Sequence, residues 1–247
     1  MEGRGELQLC RDPQALARAL AELFVATGVM ATAERGSFHV ALSGGETPRA
    51  AYELLAQEPL REELSWSDVF VYFGDERCVP PDDEQSNYLM ARRAFLDAVG
   101  IPAANVHRIR GEIDPGHAAN EYSSILRTDL GNAPRFDLIL LGLGSDGHTA
   151  SLFPGSPPDS DDDALVRAVY APSQMMWRVT MTPQLINAAR TVAFAVEGAE
   201  KAQILATVYD GPVDPVEYPA QIVHPVSGRL IWLVDELAAG MLSGRKR

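Results

Sequence analysis

The sequence predicts an α/β protein: one Rossmann-like, doubly wound domain with a mostly parallel sheet and helices on both faces. Three observations predict it. Short apolar strands alternate with helical stretches along the chain. The strands read as unbroken apolar runs, as strands covered on both faces do. Glycine-bearing loops follow several of them, and helices restart at Asp-Pro or Thr-Pro pairs.

Each element has its own signal. Asp12 is an N-cap with Pro13 at the first helical position, and Leu16, Ala19, Leu20, Leu23 and Phe24 keep helical spacing up to Gly28. Phe38 to Leu42 is a short buried strand closed by Ser43-Gly44-Gly45, and Thr47-Pro48 restarts a helix carrying Ala51, Leu54 and Leu55. Val69 to Phe73 is a strand, followed by a loop and a helix near Tyr88 to Val99. Phe136 to Leu141 is the most apolar strand. Later strands fall at Arg178–Met181, Thr191–Val196 and Leu230–Val234, with helices beginning near Thr182-Pro183 and Ala199 and another after Asp235.

The 247 residues suit one α/β unit spanning 1–247. Pro154 to Asp163, with Pro157-Pro158 and three consecutive aspartates, reads as a solvated loop within that unit, because strands of the same style lie on both sides. No internal repeat is present.

A net charge of −13 argues against a nucleic-acid partner, which wants a basic stripe. No run approaches the roughly 18 apolar residues of a membrane span, and the start, Met1 to Glu6, lacks the layout of a secretory signal. Cys10 and Cys78 form neither a disulfide framework nor a CxxC pair. These features point to the cytoplasm, to no metal and no cofactor, and to a monomer or weak homodimer. Lysine is scarce: Lys201 and Lys246 stand against 19 arginines.

In open parallel sheets ligands bind beyond the carboxyl ends of the strands, so chemistry is sought in the loops there. The first is Ser43-Gly44-Gly45-Glu46-Thr47-Pro48. Its glycines let the backbone approach an anion, and helix-start amides and two hydroxyls add donors. A plain strand-to-helix turn with a Thr cap is the structural alternative. The second, Gly74-Asp75-Glu76-Arg77, sets two acids and an arginine past an apolar strand, with a salt bridge through Glu76 as the alternative. The third runs from Gly142 to Thr149.

Read literally, Gly142, Gly144 and Gly147 give G-x-G-x-x-G, the dinucleotide fingerprint. That reading fails, because Pro154 arrives too soon for the long helix the fingerprint opens. What remains is a glycine-hinged loop presenting Asp146 and His148, a titratable pair suited to acid–base work. Two basic positions follow. Arg178 lies near the start of a strand, where a rim salt bridge is the alternative. Lys201 lies in a helix's first turn, where a cation opposes the dipole unless it serves an anion.

Taken together and in order, these segments resemble the glucosamine-6-phosphate isomerase/6-phosphogluconolactonase family, and its lactonase branch in particular. They are Leu42–Pro48 (LSGGETP), Phe73–Arg77 (FGDER), Asn87-Tyr88, Leu140–Gly155 (LLGLGSDGHTASLFPG), Arg178–Pro183 (RVTMTP) and Glu197–Ala202 (EGAEKA). The resemblance implies a phosphorylated sugar lactone as substrate. It places Ser43, Gly44, Gly45, Thr47, Arg178 and Lys201 around its phosphate and His148 at the lactone carbonyl. Whether Arg77 meets phosphate or sugar stays open.

The family's isomerases are similar but carry a glutamate before a proline, five residues after the shared histidine. Here that place is Phe153, which can neither orient nor deprotonate a histidine. The expected reaction is therefore hydrolysis of 6-phospho-D-glucono-1,5-lactone to 6-phosphogluconate. His148 would be the general base, Asp146 or Asp75 would hold its tautomer, and loop amides would serve the oxyanion. No G-x-S-x-G elbow and no second histidine at ligand spacing accompany it. The alternatives are an amino-sugar-phosphate isomerase or deaminase, a non-catalytic sugar-phosphate sensor and a dinucleotide oxidoreductase.

Overall fold

A computed structural model describes residues 5–155 and 164–243. The loop with Pro157-Pro158 and Asp161 to Asp163, the first four residues and the Arg245–Arg247 tail lie outside the described residues.

The chain begins with β1 (Glu6–Cys10) and the long α1 (Pro13–Arg35). Asp12 caps α1 by accepting from the Ala15 amide at 2.8 Å. The helix does not stop at Gly28. A side chain there would strike Leu64 and Phe38 at 2.7 and 2.9 Å, so Gly28 is a packing residue. The stop is Gly36, left-handed at φ 78°. By length and apolar content α1 suffices to cross a bilayer. It is instead a core helix, burying Leu16, Leu20, Phe24 and Val25 and meeting strands of the main sheet.

There follow β2 (Phe38–Leu42), α2 (Glu46–Leu55), β3 (Val69–Phe73) and the three-residue β4 (Asp75–Arg77). Helix α3 (Asn87–Ala91) runs through a π turn, Arg92–Leu96, into α4 (Asp97–Val99). Then come α5 (Pro115–Leu130), β5 (Leu138–Leu141), β6 (Val166–Ala171), β7 (Met176–Met181), α6 (Pro183–Asn187), β8 (Thr191–Val196), α7 (Ala202–Asp210) and β9 (Arg229–Asp235).

Six strands form one sheet in the order β1-β9-β8-β5-β2-β3, every pair parallel. Each residue of β5 and β8 is buried, whichever way it points, so both faces of the sheet are covered. One contiguous hydrophobic cluster runs from Cys10 to Leu242. The departure from expectation is a second sheet, β4-β7-β6, entirely antiparallel. The predicted strand at Arg178–Met181 belongs to it, as β7. Gly74 joins the two sheets: its amide donates to Leu42 O at 2.9 Å, and its carbonyl accepts from Met181 at 2.8 Å.

Candidate active site

From β2 the chain passes outward to edge strand β3, whereas the main sheet continues from β5 in the other direction to β8. The crevice between β2 and β5 is therefore the topological switch point, where α/β sheets hold ligands. Strands β3, β2, β5 and β8 lie side by side, and their carboxyl ends release the four segments around Asp75, Gly44, His148 and Lys201. These line one cavity of about 410 Å³. Nine of the expected site residues stand on its wall: Ser43, Gly44, Gly45, Thr47, Asp75, Arg77, His148, Arg178 and Lys201. Asp146, the tenth, is not on the wall but bonds His148.

The Ser43–Thr47 turn is held from below by Tyr52, whose hydroxyl accepts from the Ser43 amide at 3.2 Å and donates to its carbonyl at 3.1 Å. Gly44 is required by a close approach, since a Cβ there would lie 1.9 Å from Asn87 Oδ1. Gly45, at φ 110°, is the N-cap of α2. Thr47 is thus not the cap its Thr-Pro pair suggested; it lies inside the first turn and donates to Glu197 Oε1 at 2.9 Å. Only Glu46 and Thr47 carry amides in that first turn, Pro48 having none; these amides have no intrahelical acceptor, and both residues line the cavity.

Asp75, Glu76 and Arg77 form β4 rather than a loop. Asp75 is buried, accepting from Ser151 Oγ at 2.6 Å, Arg178 Nη1 at 3.2 Å and Asn87 Nδ2 at 3.3 Å. It makes no bond to His148, so its expected part in holding the histidine tautomer is corrected: it holds Arg178. Among the described residues Glu76 makes no salt bridge. Its carboxylate accepts from the amides of Arg77, Asn87 and Tyr88 and from Ser86 Oγ, at 2.8–3.0 Å, and so ties down the start of α3.

Arg178 is 4% exposed. Burial lowers its pKa from the ordinary value, with Asp75 pulling the other way. Its second amino group donates to Gln174 Oε1. Arg77 Nη1 donates to Gln85 O at 2.7 Å and Asn87 Oδ1 at 3.1 Å. Lys201 ends a short 3₁₀ turn, Ala199–Lys201, that leads into α7. Among the described residues neither Arg77 nor Lys201 pairs with a carboxylate.

His148 completes the wall. Asp146 Oδ1 lies 2.5 Å from its Nδ1 and accepts from its amide at 3.1 Å. Burial works against the Asp146 carboxylate, but these bonds outweigh it and hold its pKa below the usual value. The loop is fastened by Gly144 N donating to His148 O at 2.8 Å, and by Ala220 N donating to Gly147 O at 2.9 Å. No helix follows within residues 142–155, as expected of a loop that is not a dinucleotide fingerprint. Phe153 packs its ring 4.9 Å from the imidazole and 5.9 Å from the Arg178 guanidinium carbon.

Sequence reasoning missed Ser151, Gln174 and Glu197, and gave Asn87 no role. Ser151 and Glu197 had a signal, lying in the matched Leu140–Gly155 and Glu197–Ala202 segments; Gln174 had none. Burial pushes the Cys78 thiol up to about 11, so it is protonated at neutral pH and not a nucleophile. Among the described residues no group of three or more His, Cys, Asp or Glu side chains is arranged for a metal ion.

The family model for glucosamine-6-phosphate isomerases/6-phosphogluconolactonase matches residues 11–232. A 6-phosphogluconolactonase of Synechocystis sp. is 46% identical over 213 residues, covering 84% of this chain and 86% of the relative. One of Nostoc sp. is 38% identical over 242 residues, covering 96% and 98%. The solved 6-phosphogluconolactonase of Trypanosoma cruzi superposes with a TM-score of 0.86 at 30% identity, covering 98% of each chain.

Proposed function

The chain belongs to the glucosamine-6-phosphate isomerase/6-phosphogluconolactonase family, and from that membership and the cavity's chemistry we propose that it hydrolyses 6-phospho-D-glucono-1,5-lactone to 6-phosphogluconate. One observation carries the reading: an Asp146-paired His148 shares a cavity wall with Arg77 and Lys201, cations that no carboxylate neutralises among the described residues.

The catalytic step follows from the hydrogen bonds. Asp146 accepts the Nδ1 proton of His148, which leaves Nε2 with a free lone pair. That nitrogen takes a proton from water as the water oxygen bonds to the lactone carbonyl carbon. When the tetrahedral intermediate collapses, the imidazolium returns the proton to the departing ring oxygen. A positioned general base supplies about 10²–10⁴ in rate, and a lactone is already an activated ester. The Gly144 and Gly147 amides are committed to His148 O and Gly144 O, so they are not free for the oxyanion. Ser145, on the same wall, presents a hydroxyl in their place.

At the other end, Arg77, Lys201 and the first-turn amides of α2 hold the phosphate. Arg178 is the lesser contributor, because Asp75 already offsets its charge and Gln174 and Ser151 accept from its two amino groups, leaving only the buried Nε without a partner among the described residues. Two charge-assisted contacts of about 1.5–3 kcal/mol each suffice for a small substrate in the micromolar-to-millimolar range.

The isomerase reading is disfavoured by Phe153, which packs on His148 where that chemistry needs a carboxylate. The test is acid release from freshly prepared 6-phosphogluconolactone beside ammonia release from glucosamine 6-phosphate. The proposal expects the first, above the spontaneous rate, and not the second. Ammonia without acid release would reverse the assignment.

A further inference from the structure

The phosphate end of the cavity already holds an anion of the protein's own. Glu197, at the carboxyl end of β8, lines the same wall as Lys201 and reaches across to Thr47 in the first turn of α2. There its Oε1 accepts the Thr47 hydroxyl proton at 2.9 Å. Among the described residues no cation pairs with Glu197. A carboxylate at the positive end of a helix, lining the same cavity as a lysine that has no carboxylate partner among the described residues, occupies the electrostatic place of a ligand's phosphate.

We infer that Glu197 is an affinity-setting residue: an internal anion that the substrate's phosphate must displace or tolerate, so that it weakens phosphate binding. The inference rests on the phosphate assignment made above. A threonine hydroxyl has one proton to donate. Thr47 therefore cannot donate to an incoming phosphate until it gives up Glu197, and the displaced carboxylate still repels the dianion from within the same cavity. Glu197 thus sets the site toward release.

Glu197→Gln tests this, because the amide oxygen still accepts from Thr47 while the charge is gone. KM for the phosphorylated lactone and the inhibition constant of inorganic phosphate should fall together, by about three- to tenfold for one charge several ångströms from a dianion. The gain should shrink as salt is raised. Glu197→Asp, which keeps the charge, should stay close to the parent. Lys201→Ala, measured alongside by titration calorimetry with 6-phosphogluconate, should bind more weakly. If Lys201→Ala weakens binding but Glu197→Gln leaves it unchanged or weaker, the inference is overturned and the phosphate assignment stands. If neither variant alters phosphate or 6-phosphogluconate binding, both are overturned.

Discussion

The α-carbon of Gly144 faces the imidazole of His148 so closely that a methyl group there would lie 2.1 Å from Nδ1 and 2.3 Å from Cε1. The glycine is not needed for its backbone freedom, which is ordinary at this position, but for the space the ring occupies. Gly144→Ala should fold, since the crowded neighbour is a side chain on a surface loop, yet push the ring out of line with Asp146. Misplacement of about 1 Å at a reacting group costs on the order of 10²-fold. Steady-state kinetics should show that loss in kcat while thermal unfolding moves little; parent-like kcat would mean the ring position is not critical.

Asp146 and Asp75 were equal candidates for orienting the histidine, and their surroundings now separate them. Removing the Asp146 carboxylate as Asp146→Asn should lower kcat by up to about 10⁴-fold, the loss seen when a catalytic histidine is left in the wrong tautomer. Asp75→Asn should act mainly on KM, through Arg178. Equal kcat losses in the two variants would contradict this division.

Asp75 also carries a stability prediction. It is the one carboxylate on the buried Arg178 among the described residues. Asp75→Ala leaves that guanidinium buried and uncompensated, which typically costs about 3–5 kcal/mol. Urea denaturation should report a loss of that order, with a smaller one for Asp75→Asn. A loss under about 1 kcal/mol would mean that Arg178 finds water or another partner.

Away from the site, His39 and His107 stack with Phe70 and Tyr72, and His107 Nδ1 lies 3.3 Å from Asp129 Oδ2. Burial lowers the pKa of both histidines, against the opposite pull of Asp129. A depressed histidine gives stability that is whole above the unfolded value near 6.5 and is lost as pH falls below it. Denaturant midpoints should therefore drop between pH 7.5 and 5.5, and less so in His107→Asn. Asp146, held low, adds a loss only as pH falls below its unfolded value of 3.8.

How much of this was legible in the sequence depended on whether the cause was local. Asp12-Pro13 announced α1 because capping is a contact between near neighbours. The glycine loops announced a ligand edge because buried parallel strands leave no other place for one. By contrast, β4 is three polar residues that become a strand only because β7 offers its bonds, and β1 is a mostly exposed edge strand beside β9. The same limit applied at the site. His148 with Asp146 was readable from a two-residue spacing. The binding of Asp75 to Arg178 and of Thr47 to Glu197 spans more than a hundred residues of chain, and no pattern in either segment encodes it.

The proposed hydrolysis depends on the imidazole at position 148. The most direct measurement is the initial rate of acid release from fresh 6-phosphogluconolactone by His148→Ala, corrected for spontaneous hydrolysis, with 6-phosphogluconate binding measured on the same sample. General-base catalysis predicts a fall of about 10²–10⁴-fold in kcat with product affinity largely kept. Full turnover by that variant would contradict the mechanism.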